Sequence, residues 1–183
     1  MANDKTEGLL FLIKAKATRE EGFRRLMKEY GEKLYWSIRR IVVGHEDAED
    51  VMQDAIIKIY ESIDSFRGDS SIGTWIYRIA INEALRFLQK KCSFLQSIDS
   101  LSPALSRQLT TDNDISEKEI EVAFQKALLT LPTQQRIAFN LRYYDEMPYE
   151  EIAKITGKKV NTLKTNYHFA AEKIKNYLKE QAL

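Results

Sequence analysis

The chain has 183 residues, of which 44% are apolar, which suffices for one medium or two small folded domains and excludes disorder throughout. Its 28 basic and 27 acidic residues nearly cancel, so the distribution of charge along the chain is more informative than the net charge of +1. One cysteine cannot form an intrachain disulfide and two histidines offer no zinc site, so we expect a cytoplasmic protein with no metal and no cofactor.

A first helical domain is predicted over residues 20–91, after an N-terminal extension at 1–19. The extension contains the apolar run LLFLI, which is too short to span a membrane and lacks a signal-peptide cleavage site, so we expect no membrane insertion. Within the domain, apolar residues recur every three or four positions, as in Phe23, Leu26, Tyr30 and Leu34. This spacing predicts amphipathic helices, and no strand pattern interrupts it.

An acidic stripe is predicted on the second of these helices. Glu46, Asp50 and Asp54 are four residues apart, so their carboxylates lie along one helical face, with Met52 and Ile56 nearby. Such a face suits a basic helical partner. Two alternatives remain: a plain solvated face, or paired carboxylates for metal or acid-base chemistry, although no histidine or glycine-rich phosphate loop accompanies them.

The segment FRGDSS, at 66–71, and the helix that follows it combine aromatic, amide and basic side chains. Trp75 and Tyr77 stand close to Arg78, Asn82 and Arg86, a mixture suited to binding a separated DNA strand. The alternative is that this helix only forms core, which we favour for Trp75 because its spacing from Ile79 fits a buried face. That alternative leaves the polar loop unexplained, where an unstacked base could be accepted.

The chain changes character at 92–117, where Ser, Thr, Asn and Asp predominate and Pro103 interrupts any helix. We interpret this segment as a flexible linker. A second helical domain is predicted over 118–183, in which Pro132 is expected to be the first residue of a helix.

The segment from Tyr143 to Ala171 predicts a helix, a tight turn and a second helix. Tyr149 is expected to begin the first helix, and Gly157 stands where the helix end requires a left-handed residue. Lysine, asparagine and threonine residues then crowd the start of the second helix, the end that a helix-turn-helix directs into the major groove. The alternative is an ordinary helical hairpin with a lysine-rich solvated face.

Together, EDAEDVMQDAIIKIYESIDSFRGDSSIGTWIYRIAINEALRFL and LPTQQRIAFNLRYYDEMPYEEIAKITGKKVNTLKTNYHFAAEKI strongly resemble the extracytoplasmic-function (ECF) sigma factors of bacterial RNA polymerase. The resemblance extends from Phe23 to Leu178, apart from the linker. It implies an all-α fold of two small helical domains, called regions two and four, joined by a flexible linker. It further implies that the chain is not an enzyme but an alternative sigma factor, whose partners are core RNA polymerase, promoter DNA and an anti-sigma factor.

The resemblance also implies residue roles. The residues expected to bind core polymerase are Asp50, Met52, Gln53, Asp54 and Ile56. Recognition of the minus-10 element falls to the loop residues Phe66, Arg67, Gly68, Asp69, Ser70 and Ser71 and to the helix residues Arg78, Asn82 and Arg86. Recognition of the minus-35 element falls to Lys159, Asn161, Thr162, Lys164, Thr165 and His168.

This chain departs from the family pattern at the recognition helix. Many members have arginine where it has Asn166, Phe169 and Ala171, so we expect phosphate contact there to be weaker or differently placed. Pro148 also replaces the usual Ser or Thr helix cap. Two rival functions remain: a conventional DNA-binding regulator, which leaves the acidic stripe and the FRGDSS loop unexplained, and a helical adaptor whose basic residues are only solvated surface.

A linker of about 25 residues can stretch to roughly 80 Å, which exceeds the roughly 70 Å of two DNA turns between the promoter elements. A free coil of that length averages only about 25 to 30 Å. The polymerase is therefore expected to hold the two domains apart, and the isolated protein is expected to bind promoters weakly.

Overall fold

The computed structural model describes residues 9–94 and 119–181, and every regular element within them is helical. The predicted all-α fold with two helical domains is confirmed. The predicted linker at 92–117 lies outside the described residues except for its first three, which continue the last helix of the first domain to Phe94.

The N-terminal domain consists of four helices. A short helix at 9–14 (α1) precedes two long helices, and the fourth helix follows a polar loop. These are α2 (Arg19–Val42), α3 (His45–Ser62), the 3₁₀ turn Ile63–Ser65 and α4 (Ile72–Phe94). The helices α2, α3 and α4 pack against one another, because each carries buried apolar residues every three or four positions.

The N-terminal extension contributes to this core. Ile13 of α1 is fully buried and lies against Gly22 near the start of α2. A side chain at position 22 would place its first carbon 2.7 Å from the Ile13 side chain, so glycine is needed for this close approach. The boundary drawn at residue 20 from the sequence therefore leaves out part of the core.

The C-terminal domain, as far as it is described, contains α5 (Glu119–Leu129), α6 (Thr133–Tyr143), α7 (Tyr149–Thr156) and α8 (Val160–Gln181). Pro132 precedes α6 as its N-cap and is not its first helical residue, because its ψ of 144° is extended. A small core of Ala127, Leu128, Phe139, Ala170 and Ile174 joins α5, α6 and α8.

The two domains pack directly against each other, with α7 on α4 and α6 on α2. A single apolar core runs through the contact, and Leu141, Met147 and Ile152 of the C-terminal domain belong to the same cluster as Ile41 and Tyr77 of the N-terminal domain. We call this packing the closed arrangement. It brings together residues that are up to 108 positions apart in sequence.

Candidate nucleic-acid interface

The helix-turn-helix forms at the predicted residues. Helix α7 begins at Tyr149 after Pro148, which provides no side-chain cap, as expected. It ends at Thr156, and Gly157 follows in the left-handed region with a φ of 69°, its N–H donating to the Ala153 carbonyl at 2.9 Å. Glycine suits this position because side chains with a Cβ rarely adopt a positive φ.

The six residues predicted to read the minus-35 element all lie exposed at or just before the start of α8. They are Lys159, Asn161, Thr162, Lys164, Thr165 and His168. Leu163, on the other side of the helix, is buried and attaches α8 to the rest of the domain. The Thr165 hydroxyl donates to the Asn161 carbonyl at 2.9 Å, so it retains only acceptor capacity for a base.

The ring of Tyr149 lies beside two cations, which ties the start of α7 to the recognition helix. Lys164 Nζ is 5.9 Å from the ring centroid, and the Arg142 guanidinium is 5.4 Å from it. Burial raises the pKa of the Tyr149 phenol, so the ring stays neutral at physiological pH. Lys164 is therefore held beside the start of α7.

Phe169 is a candidate that the sequence interpretation treated only as a missing arginine. Its side chain is 47% exposed on α8, four residues after Thr165 and therefore on the same side of the helix. An apolar group on such a face can contact the C5-methyl of thymine. The signal available from the sequence was an aromatic residue on the polar side of an amphipathic helix.

The FRGDSS loop, the start of α4 and Lys154 of α7 border an open pocket of about 460 Å³. Gly68 turns the loop with a φ of 84°. Arg67 and Asp69 are exposed and Ser70 is half-buried, as a base-contacting role requires. The cavity is lined by Ser65, Phe66, Arg67, Gly68, Asp69, Ser70, Thr74, Trp75, Arg78 and Lys154.

Two loop residues have structural roles that the sequence did not indicate. Phe66 is only 4% exposed and its ring packs edge-on against Trp75, with centroids 5.5 Å apart, so it supports the cavity wall and does not present a free stacking face. Ser71 caps α4, because its Oγ accepts the Thr74 N–H at 3.0 Å. Trp75 is buried, in agreement with the core alternative.

The three remaining minus-10 candidates lie along one exposed side of α4. Arg78, Asn82 and Arg86 are four residues apart, which places them in a row on the helix. Arg86 pairs with Glu83, its Nη1 lying 2.7 Å from the carboxylate, so part of its charge is already neutralised.

The acidic stripe on α3 is present but narrower than predicted. Asp50, Gln53 and Asp54 are exposed, whereas Met52 is half-buried and packs against the domain core. Met52 lies two residues from both Asp50 and Asp54, which places it on the opposite side of the helix, so the structure does not bring it to the acidic face. Ile56 is half-buried and, two residues after Asp54, is also turned away from the carboxylates of the stripe.

Ile57 is an exposed apolar residue that the sequence interpretation missed. Its side chain is 51% exposed and follows Gln53 and Asp54 by one helical turn. An isoleucine flanked by carboxylates on a solvent-facing stripe is typical of a protein interface with an apolar centre and a charged rim.

Among residues 9–94 and 119–181, no group of histidine, cysteine and carboxylate side chains could hold a metal ion. Over the same residues, no helix is both long and apolar enough to cross a lipid bilayer.

Comparison with known proteins agrees with this arrangement. Residues 26–92 match the family model for sigma-70 region 2, and residues 121–174 match that for sigma-70, region 4. The fold and surfaces thus define a sigma subunit of bacterial RNA polymerase. The chain is 33% identical over 166 residues to the ECF RNA polymerase sigma-E factor of Escherichia coli strain K12, covering 86% of each chain. The protein therefore belongs to the ECF sigma factor family.

Other relatives agree. The ECF RNA polymerase sigma factor SigW of Bacillus subtilis is 27% identical over 170 residues, covering 88% of this chain and 91% of the relative. Two solved structures share the fold, each with a TM-score of 0.69: sigma factor RpoE with anti-sigma factor NepR from Bartonella quintana, and CnrH with the cytosolic domain of CnrY. The RpoE structure is 24% identical in sequence, and the match covers 87% of this chain and 98% of that one. The CnrH structure is 19% identical, and the match covers 95% of this chain and 98% of that one.

Membership of the ECF sigma factor family defines the general function of the protein. The protein is an alternative sigma factor that binds core RNA polymerase and directs promoter recognition and transcription initiation. We call the N-terminal domain region two and the C-terminal domain region four below.

Proposed function

We propose that three exposed surfaces of this sigma factor divide the work of initiation. The exposed start of α8 reads the minus-35 duplex, the FRGDSS loop and the exposed row on α4 hold the separated minus-10 strand, and the acidic stripe on α3 binds the polymerase clamp. The observation that carries this proposal is that the exposed candidates on each surface are contiguous while the apolar residues between them are buried or half-buried.

At the minus-35 surface, cationic and neutral polar side chains have separate tasks. Lys159 and Lys164 neutralise phosphates, which adds affinity without sequence information. Asn161, Thr162, Thr165 and His168 contact base edges, where amide and imidazole groups can both donate and accept hydrogen bonds.

At the minus-10 surface, the loop cavity accepts one unstacked base. The hydroxyl, carboxylate and guanidinium groups that the loop and α4 contribute to its lining suit recognition of a base edge by hydrogen bonds. Arg78, Asn82 and Arg86 then hold the adjoining strand along α4.

The protein itself is not an enzyme in this proposal, since the chemistry of RNA synthesis belongs to the polymerase. It acts in the cytoplasm, where that polymerase is found. An anti-sigma factor is a further proposed partner, because a sigma factor with the same fold was solved with the anti-sigma factor NepR bound, and both region two and region four present exposed surfaces here.

The test is transcription in vitro with purified core polymerase and a promoter library. We expect transcripts only when both proteins are present, from promoters that share minus-10 and minus-35 elements. Ser70→Ala and Asn82→Ala should change the preferred minus-10 bases and leave the minus-35 preference unchanged, which serves as the internal control. An unchanged minus-10 preference in both variants would remove the loop assignment, and a complete lack of transcription would favour a helical adaptor.

A further inference from the structure

The closed arrangement is held by polar contacts at two places. At the first, Asp145 in the loop after α6 accepts a hydrogen bond from the Ser37 hydroxyl and an ion pair from Arg40, whose Nη2 is 3.3 Å away. The side chains of Asp145 and Arg40 are only 7% and 18% exposed. The Arg40 guanidinium also lies 4.4 Å from the centroid of the Tyr144 ring, and the Asn140 amide donates to the Arg40 carbonyl.

At the second place, region four reaches the minus-10 loop. The Thr74 hydroxyl, beside the Ser71 cap of α4, donates to Glu151 of α7 at 2.8 Å. One turn further along α7, Lys154 lines the loop cavity. A lysine from region four thus occupies part of the wall of the cavity proposed to receive a base.

In the closed arrangement the two DNA-binding surfaces are too close together to contact both promoter elements at once. Asn161 lies seven residues after Lys154, so its Cα is within about 25 Å of the Lys154 Cα at full extension of the chain. Two DNA turns separate the elements by about 70 Å. Region four therefore has to leave region two before α8 and the minus-10 loop can contact their elements on one promoter.

We propose that the contacts of Ser37 and Arg40 with Asp145, and of Thr74 with Glu151, form an autoinhibitory latch that keeps the free sigma factor closed without any bound partner. The proposal rests on the assignment of α8 and the minus-10 loop to the two promoter elements. The acidic stripe on α3 remains exposed in the closed arrangement, so polymerase can bind region two first and open the latch afterwards.

The raised pKa of the Asp145 carboxyl makes closure depend on pH. Burial raises the pKa of its carboxyl, against the opposing effects of the Ser37 hydrogen bond and the charges of Arg40 and Lys33. The Tyr77 phenol also faces this site, and burial raises its pKa, so it stays neutral. Because the closed arrangement binds a proton at Asp145 more tightly than the open one, lowering the pH through the raised pKa stabilises closure. This gain disappears as the pH rises through that pKa.

The matched test compares neighbouring carboxylates on α7. Glu151→Ala removes the contact with Thr74, whereas Glu150→Ala removes an exposed carboxylate from the same first turn and serves as the control. Asp145→Ala removes the first contact, and Asp145→Asn keeps an acceptor for Ser37 while removing the charge. Loss of a buried acceptor from charged and hydroxyl donors should lower the ratio of closed to open protein about tenfold.

Two measurements on the full chain detect the separation of regions two and four. In a Cys92→Ser background, fluorophores on Lys58→Cys and Lys173→Cys, both exposed, report the distance between regions two and four by energy transfer. The wild type should give one short distance, and Asp145→Ala combined with Glu151→Ala should shift it to longer values. In transcription with limiting core polymerase, Asp145→Ala should reach half-maximal product at about tenfold lower sigma concentration, because the fraction of open protein sets the apparent affinity.

The outcomes separate the latch from the proposed function. A wild-type distance as long and broad as that of the double variant overturns the latch, and so does an opened variant that needs as much sigma as the wild type. Closing of the Glu151→Ala variant on acidification, absent when Asp145→Asn is added, supports it. A short wild-type distance that lengthens in the variants, with no transcription from any of them, supports the latch and contradicts the promoter assignments.

Discussion

Charge reversal on α3 is expected to weaken polymerase binding without unfolding the domain. Asp50 and Asp54 are exposed and have no ion pair within the described residues, unlike Asp47, which lies 2.6 Å from Lys91. Replacing both with lysine should therefore change the free energy of unfolding by no more than about 0.5 kcal/mol per site.

The effect on binding is larger because the lost partners are on the polymerase. A charge pair that becomes desolvated at an interface costs about 2 to 5 kcal/mol to break, and a pair at the rim costs about 1 kcal/mol or less. If one of the two aspartates is desolvated, Asp50→Lys with Asp54→Lys should raise the Kd for core polymerase at least about 30-fold. Ile57→Ala should weaken binding as well, since it removes the apolar centre of the surface.

A fluorescence titration with core polymerase measures these constants, and circular dichroism checks helical content. The control is Glu32→Lys on α2, since Glu32 is exposed and lies on a different helix from the stripe. An unchanged Kd for the double variant, or an equal loss for Glu32→Lys, would refute the assignment of this stripe.

The recognition helix offers two further tests. Lys159→Ala should weaken binding equally at all minus-35 sequences and lower the steepness of log K against log salt by about 0.9. Asn161→Ala should lose about 1 to 3 kcal/mol of binding free energy, and only at promoters with its preferred base. Uniform losses for Asn161→Ala would mean that the reading surface is misplaced. If Phe169 contacts a thymine methyl, uracil at one minus-35 position should weaken binding about fourfold, from about 0.8 kcal/mol per buried methyl group. Phe169→Ala should abolish that difference, and a fourfold loss that persists in the variant would exclude the contact.

Local signals in the sequence predicted where the first helix of the helix-turn-helix begins and where its glycine turn lies. The start of α7 at Tyr149 and the left-handed Gly157 follow from short-range rules on proline, apolar spacing and glycine, which act within one or two helical turns. The orientation of Met52 could not be predicted, because apolar residues on both sides of the acidic stripe look alike until the packing partner is known.

Tertiary contacts, by contrast, could not be predicted from these rules. The burial of Phe66 depends on Trp75 turning toward it across the loop, and the contact of Ser37 with Asp145 joins positions 108 residues apart. Nothing in the local sequence of Asp145 distinguishes it from an exposed loop carboxylate. The contribution of the N-terminal extension to the core could not be predicted for the same reason, since Ile13 is identified as core only by its contact with Gly22.

The closed arrangement bears on the order of events at a promoter. Because the α3 stripe and the start of α8 are both exposed while the minus-10 cavity carries Lys154 in its wall, closed protein can meet polymerase or minus-35 DNA but cannot use both elements together. Binding of DNA by α8 alone would not favour the open form, since α8 is equally exposed in both, and a ligand with equal affinity for two states shifts neither. Under the latch proposal, polymerase contacts both regions while holding them apart, so we expect it to bind the open form preferentially. Opening is then part of polymerase binding and precedes recognition of the complete promoter.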